Sequence, residues 1–113
     1  MDNIVLDKSF SFAVRIVKLS QYLQKHEKEF VISQQVLRSG TSIGANITEA
    51  QQAQSRADFR SKLNIALKEA AETDYWLRLL HTTEYLNETQ FQSIISDCRE
   101  IKHLLISIVK SSK

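Results

Sequence analysis

The sequence predicts an all-α fold, an up-down bundle of four antiparallel helices, and three observations carry that expectation. Proline is absent and glycine occurs only at Gly40 and Gly44, so the many tight corners of a sandwich or barrel have no turn formers to build them. Apolar residues recur at steps of three and four over long stretches, the period of one helix face. The chain has 113 residues, of which 42% are hydrophobic and 25% charged, which suits one ordinary globular domain. Area scaling gives about 19,000 Å² of surface unfolded and about 6,300 Å² folded, enough burial for a core without disulfides or metal.

The first segment poses a choice. Phe10, Phe12, Val14 and Ile16 alternate like a strand, while Phe12, Ile16, Leu19 and Leu23 recur at i, i+4, i+7 and i+11. The helical pattern lasts longer and nothing breaks it, so length decides for a helix from about Lys8 to Lys25. The polar run His26-Glu27-Lys28-Glu29 is the connection.

Ser33 is the expected N-cap of a second helix, with Ile32 and Leu37 placed to staple its entry. Val36, Ile43, Ile47 and Ala50 form its core face, and Gly40 and Gly44 lie beside that face. Each glycine inside a helix costs about 1 kcal/mol relative to alanine. Two together imply that a neighbouring helix packs closely there, or that the segment splits at Gly40-Thr41 as in a helix-turn-helix. The unbroken apolar phase favours one helix.

The third helix opens at Ser55, with Asp58 at capping-box spacing. Phe59, Leu63, Ala66, Ala70, Thr73, Leu77 and Leu80 carry it to about Tyr85. The fourth is capped by Asn87 with Gln90 three residues on and a Leu86–Phe91 staple. Its face is Phe91, Ile94, Cys98, Ile101, Leu105 and Ile108. Connections of only a few residues imply antiparallel neighbours in a single domain, residues 1–113.

Ile65, Trp76 and Leu79 fall about 100–160° from the core stripe of the third helix at the standard turn per residue. A second apolar face that includes a tryptophan suggests a subunit interface and therefore a homo-oligomer; the alternative is that Trp76 caps the end of the same core.

Chemistry leaves little trace. A di-metal bundle wants two Glu-x-x-His pairs; only Glu100 and His103 make one, His81 precedes Glu84 in the reverse order, and His26 lies in a connection. Cys98 sits on the apolar stripe like a small core residue. Ser39, Thr41 and Ser42 have no base at a useful spacing, and the glycine-containing block lacks the P-loop lysine. Glu69, Glu72 and Asp74 read as a solvated face or as interhelical partners. Neither an enzyme nor a metal or other cofactor is expected.

Net charge is +2, from 15 Lys and Arg against 13 Asp and Glu. Within that balance Lys8, Arg15, Lys18 and Lys25 share one flank of the first helix, and Arg56, Arg60 and Lys62 open the third. Such runs are commonly solvated faces; repeated around an oligomer they become a ring that attracts phosphate. Arg15, Lys18, Arg56, Arg60 and Lys62 are the candidate contacts to RNA or DNA, without interleaved aromatic residues for base stacking. No apolar run approaches the roughly 20 residues of a membrane span, and Met1-Asp2-Asn3 lacks the basic start of a signal peptide. A cytoplasmic protein without membrane contact is expected.

Phe10-Ser11-Phe12-Ala13, the block from Leu37 to Ile47 with Glu49-Ala50, and Asp58-Phe59 followed by the stretches Lys62–Ala70 and Glu72–Leu77 resemble the bacterial four-helix-bundle family of 23S rRNA intervening-sequence proteins. Relatives of that family include the accessory variability determinants of diversity-generating retroelements. The resemblance implies a bundle that assembles as a pentameric, barrel-like ring. It also implies nucleic-acid binding through basic surface and, in a retroelement setting, a reverse transcriptase as partner. The alternative is a protein–protein scaffold with no direct nucleic-acid contact.

Overall fold

Four helices and no strand make up residues 3–112, which are the residues described in the computed structural model. Met1, Asp2 and Lys113 lie outside them. The helices are α1 (Asn3–His26), α2 (Ile32–Ala50), α3 (Arg56–Thr82) and α4 (Glu88–Ser111). Each of α1 and α3 packs on both α2 and α4, whereas α1 and α3 do not meet, so they occupy opposite corners of the bundle. The body measures 44 × 21 × 19 Å, and its accessible surface of 6634 Å² is close to the roughly 6,300 Å² that size alone demands.

Helix α1 begins earlier than its expected start at Lys8, because Val5 extends the stripe of Phe12, Ile16 and Leu23 by one more heptad step and is itself buried. Helix α2 runs unbroken through both glycines, which removes the helix-turn-helix alternative. Its cap differs from expectation. Val31 holds the cap position without a side-chain bond, and the Glu29 carboxylate accepts from the backbone N–H groups of Ile32 at 3.0 Å and Ser33 at 2.7 Å. An anion at a helix N-terminus satisfies free donors and the dipole together. Ser33 is instead a buried hydroxyl that donates to the Glu29 carbonyl.

Ser55 caps α3 as expected, accepting from Asp58 N–H at 3.0 Å. The helix stops at Thr82 rather than Tyr85 because Glu84 adopts φ 71°. Tyr85 N–H and Glu84 N–H then return to the carbonyls of Leu80 and His81, a Schellman ending built without the usual glycine. The capping box of Asn87 and Gln90 is present at both bonds, 2.8 and 3.0 Å, and Leu86 and Phe91 are both buried.

The core is apolar along its length, with Phe12, Ile16, Ile43, Ile47, Leu63, Leu77, Ile101 and Leu105 excluded from solvent. Buried polar groups concentrate at the seams. Ser20 Oγ donates to the Ser33 carbonyl at 3.0 Å, and Thr73 Oγ1 lies 2.9 Å from Ser39 Oγ. Among the described residues no buried side-chain polar atom lacks a partner.

Candidate nucleic-acid interface

The five candidate contact residues fall into two clusters. Arg15 and Lys18 lie where α1 borders the first half of α4. The Arg15 guanidinium donates to Asp97 Oδ2 at 2.7 Å and to Ser93 Oγ at 3.0 Å, so much of its charge is answered within the chain. Lys8 is similarly paired with Glu100 at 3.2 Å. Lys18 makes no ion pair among the described residues. Arg15 and Lys18 border a hollow of about 300 Å³ with an apolar base of Leu19, Leu86 and Ile94. Tyr22 also lines it, and its ring lies 5.2 Å from that of His26. The expectation of a flank without aromatics therefore needs correcting: Tyr22 follows Lys18, and His26 follows Tyr22, at the four-residue step that places neighbours on one helix face.

Arg56, Arg60 and Lys62 stand at the start of α3. Lys62 pairs with Glu49 of α2 at 3.3 Å, and Arg60 donates to the Ser112 carbonyl at 2.9 Å. Arg56 is exposed with no ion pair among the described residues. The Arg60 contact brings the exposed Lys110 of the last α4 turn to the same end of the bundle. The two clusters are not brought together: Asp97 on α4, which holds Arg15, and Ser112 at the α4 C-cap, which holds Arg60, stand roughly 22 Å apart at the helical rise.

Gly40 and Gly44 sit in the α1–α2 seam. A Cβ at Gly40 would lie 2.8 Å from two side-chain carbons of Ile16, and one at Gly44 would lie 3.3 Å from Ser9 Oγ. Close packing is thus most severe at Gly40.

On α3, Ile65 is 41% exposed and Tyr75 49% exposed, while Trp76 and Leu79 are half-buried and Trp76 packs on the core. The Trp76 indole N–H donates to Glu72 Oε2 at 3.0 Å. Arg38 of α2 bridges Glu72 and Glu69. The outward apolar surface of α3 therefore rests on Ile65 and on Tyr75, a residue outside the stripe expected from spacing.

Asp74 is a buried carboxylate, held by Arg78 and by Arg99 of α4, each at 2.9 Å. Burial pushes its carboxyl up, but the hydrogen bonds from Arg99 and Arg78, with the positive charge of Arg99 and Lys102, outweigh that and hold it below the ordinary range. Burial, with a lesser contribution from the Asp74 charge, pushes the neighbouring Cys98 thiol up to about 12. A thiol that stays protonated at neutral pH is no nucleophile. His81 stacks on Phe91 at 4.1 Å and points Nε2 to Glu88 at 3.1 Å, which uses it structurally. No group of three or more metal-ligating side chains converges among the described residues, and no helix is long and apolar enough to cross a membrane.

Fold and side chains together define a small four-helix protein with ion pairs across its helix seams, among them Lys8–Glu100, Arg15–Asp97, Lys62–Glu49 and Arg99–Asp74. Residues 1–107 match the family model described as 23S rRNA-intervening sequence protein, and the chain belongs to that family. A crystal structure of a protein of unknown function from the S23 ribosomal protein family of Bacteroides thetaiotaomicron is 65% identical in sequence. It superposes with a TM-score of 0.94, over 95% of this chain and 99% of that one. No curated protein matches the chain.

Proposed function

We propose that this chain is a non-enzymatic, cytoplasmic protein whose antiparallel up-down bundle assembles with copies of itself, as a pentameric ring, and binds RNA or DNA through basic surface. The observation that carries the nucleic-acid reading is the Arg60–Ser112 contact, which gathers Arg56, Arg60 and Lys110 at one end of the molecule. Phosphate attraction grows with the number of cationic contacts, and a ring would present that end several times over, so that avidity lifts a weak single-subunit affinity. The family's rRNA-derived description and the ribosomal family name of the Bacteroides protein support an RNA setting. The antiparallel order is supported by Ser9 facing Gly44 while Ser20 bonds Ser33. A reverse transcriptase is the protein partner where the gene sits in a retroelement.

A specific observation favours the scaffold reading: Arg15 and Lys62 spend their charge on Asp97 and Glu49. Fluorescence anisotropy with RNA and duplex DNA at low and moderate salt separates the two. On the nucleic-acid reading the wild type binds, and Arg56→Glu with Lys110→Glu weakens all sequences alike. The slope of log affinity against log salt then flattens by about 0.9 for each duplex phosphate that is no longer neutralised. An oligomer that binds neither RNA nor DNA at low salt leaves the scaffold.

A further inference from the structure

We infer that the outer groove between α1 and α2 seats the α3 face of a second copy of this chain, so that subunits join head to tail. The inference rests on the self-assembly proposed above and adds which two surfaces meet. Phe10 is 72% exposed although it lies within a long helix, and Val14 and Val17 follow it at i+4 and i+7, also exposed. This second apolar stripe turns away from Phe12 and Ile16, which the core already takes. Phe10 of this stripe borders a groove of about 680 Å³, with Leu6 and Ala13 on the same side and Thr41, Ala45 and Thr48 on the other. Gly44 also lines the groove, so the lack of a side chain that lets α1 approach α2 also leaves the cleft open to the outside. Asp7 is the charged residue lining it, and Asp7 has no ion pair among the described residues.

The complementary surface is on α3. Ile65, Lys68, Glu72, Tyr75 and Leu79 fall at i, i+3, i+7, i+10 and i+14, the spacing of a seam that meets another helix pair. Ile65 and Tyr75 are exposed apolar knobs, and the Glu72 charge is taken by Arg38. Lys68 is exposed without an ion pair among the described residues. An apolar cleft with one unanswered carboxylate thus matches an apolar stripe with one unanswered ammonium. Because α1 and α3 occupy opposite corners, one subunit cannot cover its own groove with its own stripe. Two different surfaces on each copy make a heterologous contact, which closes a ring or continues as a filament.

Single-face variants test this without touching the core. Phe10→Glu spoils the groove, and Ile65→Glu with Tyr75→Glu spoils the stripe; all three positions are exposed. Light scattering at about 50 µM, where a contact with a Kd near about 1 µM is largely populated, should give an oligomer for the wild type and a helical monomer for each variant alone. An equimolar mixture should give dimers and nothing larger, since it restores one intact groove and one intact stripe per pair. Lys68→Asp should weaken assembly, and Asp7→Lys in the same chain should restore it. If Phe10→Glu keeps the wild-type size, or the mixture stays monomeric, the groove–stripe pairing is overturned while self-assembly stands. A monomeric wild type overturns both.

Discussion

The α1–α2 seam and the α3–α4 seam hold their helices together by opposite means. In the first, close approach does the work: Ile16 occupies the space where a Gly40 side chain would be, and buried Ser9 backs Gly44. In the second, a buried carboxylate, Asp74, is answered by Arg99 of α4 from across the seam and by Arg78 one turn along α3, with Cys98 Sγ 3.5 Å from the Ala70 carbonyl. The first seam is sensitive to volume added at Gly40, the second to loss of a partner for Asp74. A small bundle can therefore be specific about its helix pairing on both sides with few buried charges, because steric exclusion fixes one pair and a single polar anchor fixes the other.

The largest expected effect comes from adding volume to the first seam. Gly40→Leu should destabilise by about 3 kcal/mol, the upper end for overpacking, since even its Cβ would lie 2.8 Å from a fully buried Ile16. Thermal unfolding should show a Tm lower by roughly 10 °C or more. Combining it with Ile16→Ala should recover part of the loss, and strict additivity of the two changes would break the steric account.

Removing the partner in the second seam should cost less. Asp74→Asn keeps the shape but not the charge, and both arginine side chains remain about half exposed at 51% and 55%, so a loss of about 1–2 kcal/mol is expected. The pH dependence has a definite sign. The folded carboxyl titrates below its ordinary value of 3.8, so its contribution is complete above that value and disappears as pH falls through the lower, folded one. Denaturant titrations of wild type and Asp74→Asn should therefore differ at pH 7 and draw together as pH falls below 3.8; a gap that does not narrow on acidification would show that the charge is not what anchors the seam.

The smallest effect separates the two glycines of the first seam. At Gly44 a Cβ would meet Ser9 Oγ at 3.3 Å and the Ser9 backbone at 3.4 and 3.5 Å, so Ser9 must shift by a few tenths of an ångström, against about 1 kcal/mol of helix propensity that alanine recovers. Gly44→Ala should change stability by less than about 1 kcal/mol, measured by the same unfolding curves, whereas a loss as large as that at Gly40 would mean that Ser9 cannot yield.

Periodicity made the helices and most of the core legible, because burial repeats with the turn of the helix: Phe12, Ile43, Leu63 and Ile101 are all where the spacing puts them. Ends were less legible. Ser33 has the composition of a cap but serves as a buried hydroxyl, while Glu29, from the connection, does the capping. Glu84 takes a left-handed turn without the glycine that would have announced it. For the candidate interface, the sequence identified which residues are basic but not which are already spent. Nothing local in Arg15 or Lys62 points to Asp97, 82 residues away, or to Glu49 on another helix. Tyr22 was within reach, since its four-residue spacing from Lys18 is written in the chain.

Cys98 is the only cysteine in the chain, has no solvent exposure, and its thiol is pushed up to about 12 by burial in the closed seam. A thiol-specific label can reach it only during the moments when α4 parts from α3. The labelling rate of the unmodified protein is thus a clock for that opening, one that reads the seam's transient separation in the native state without any engineered probe.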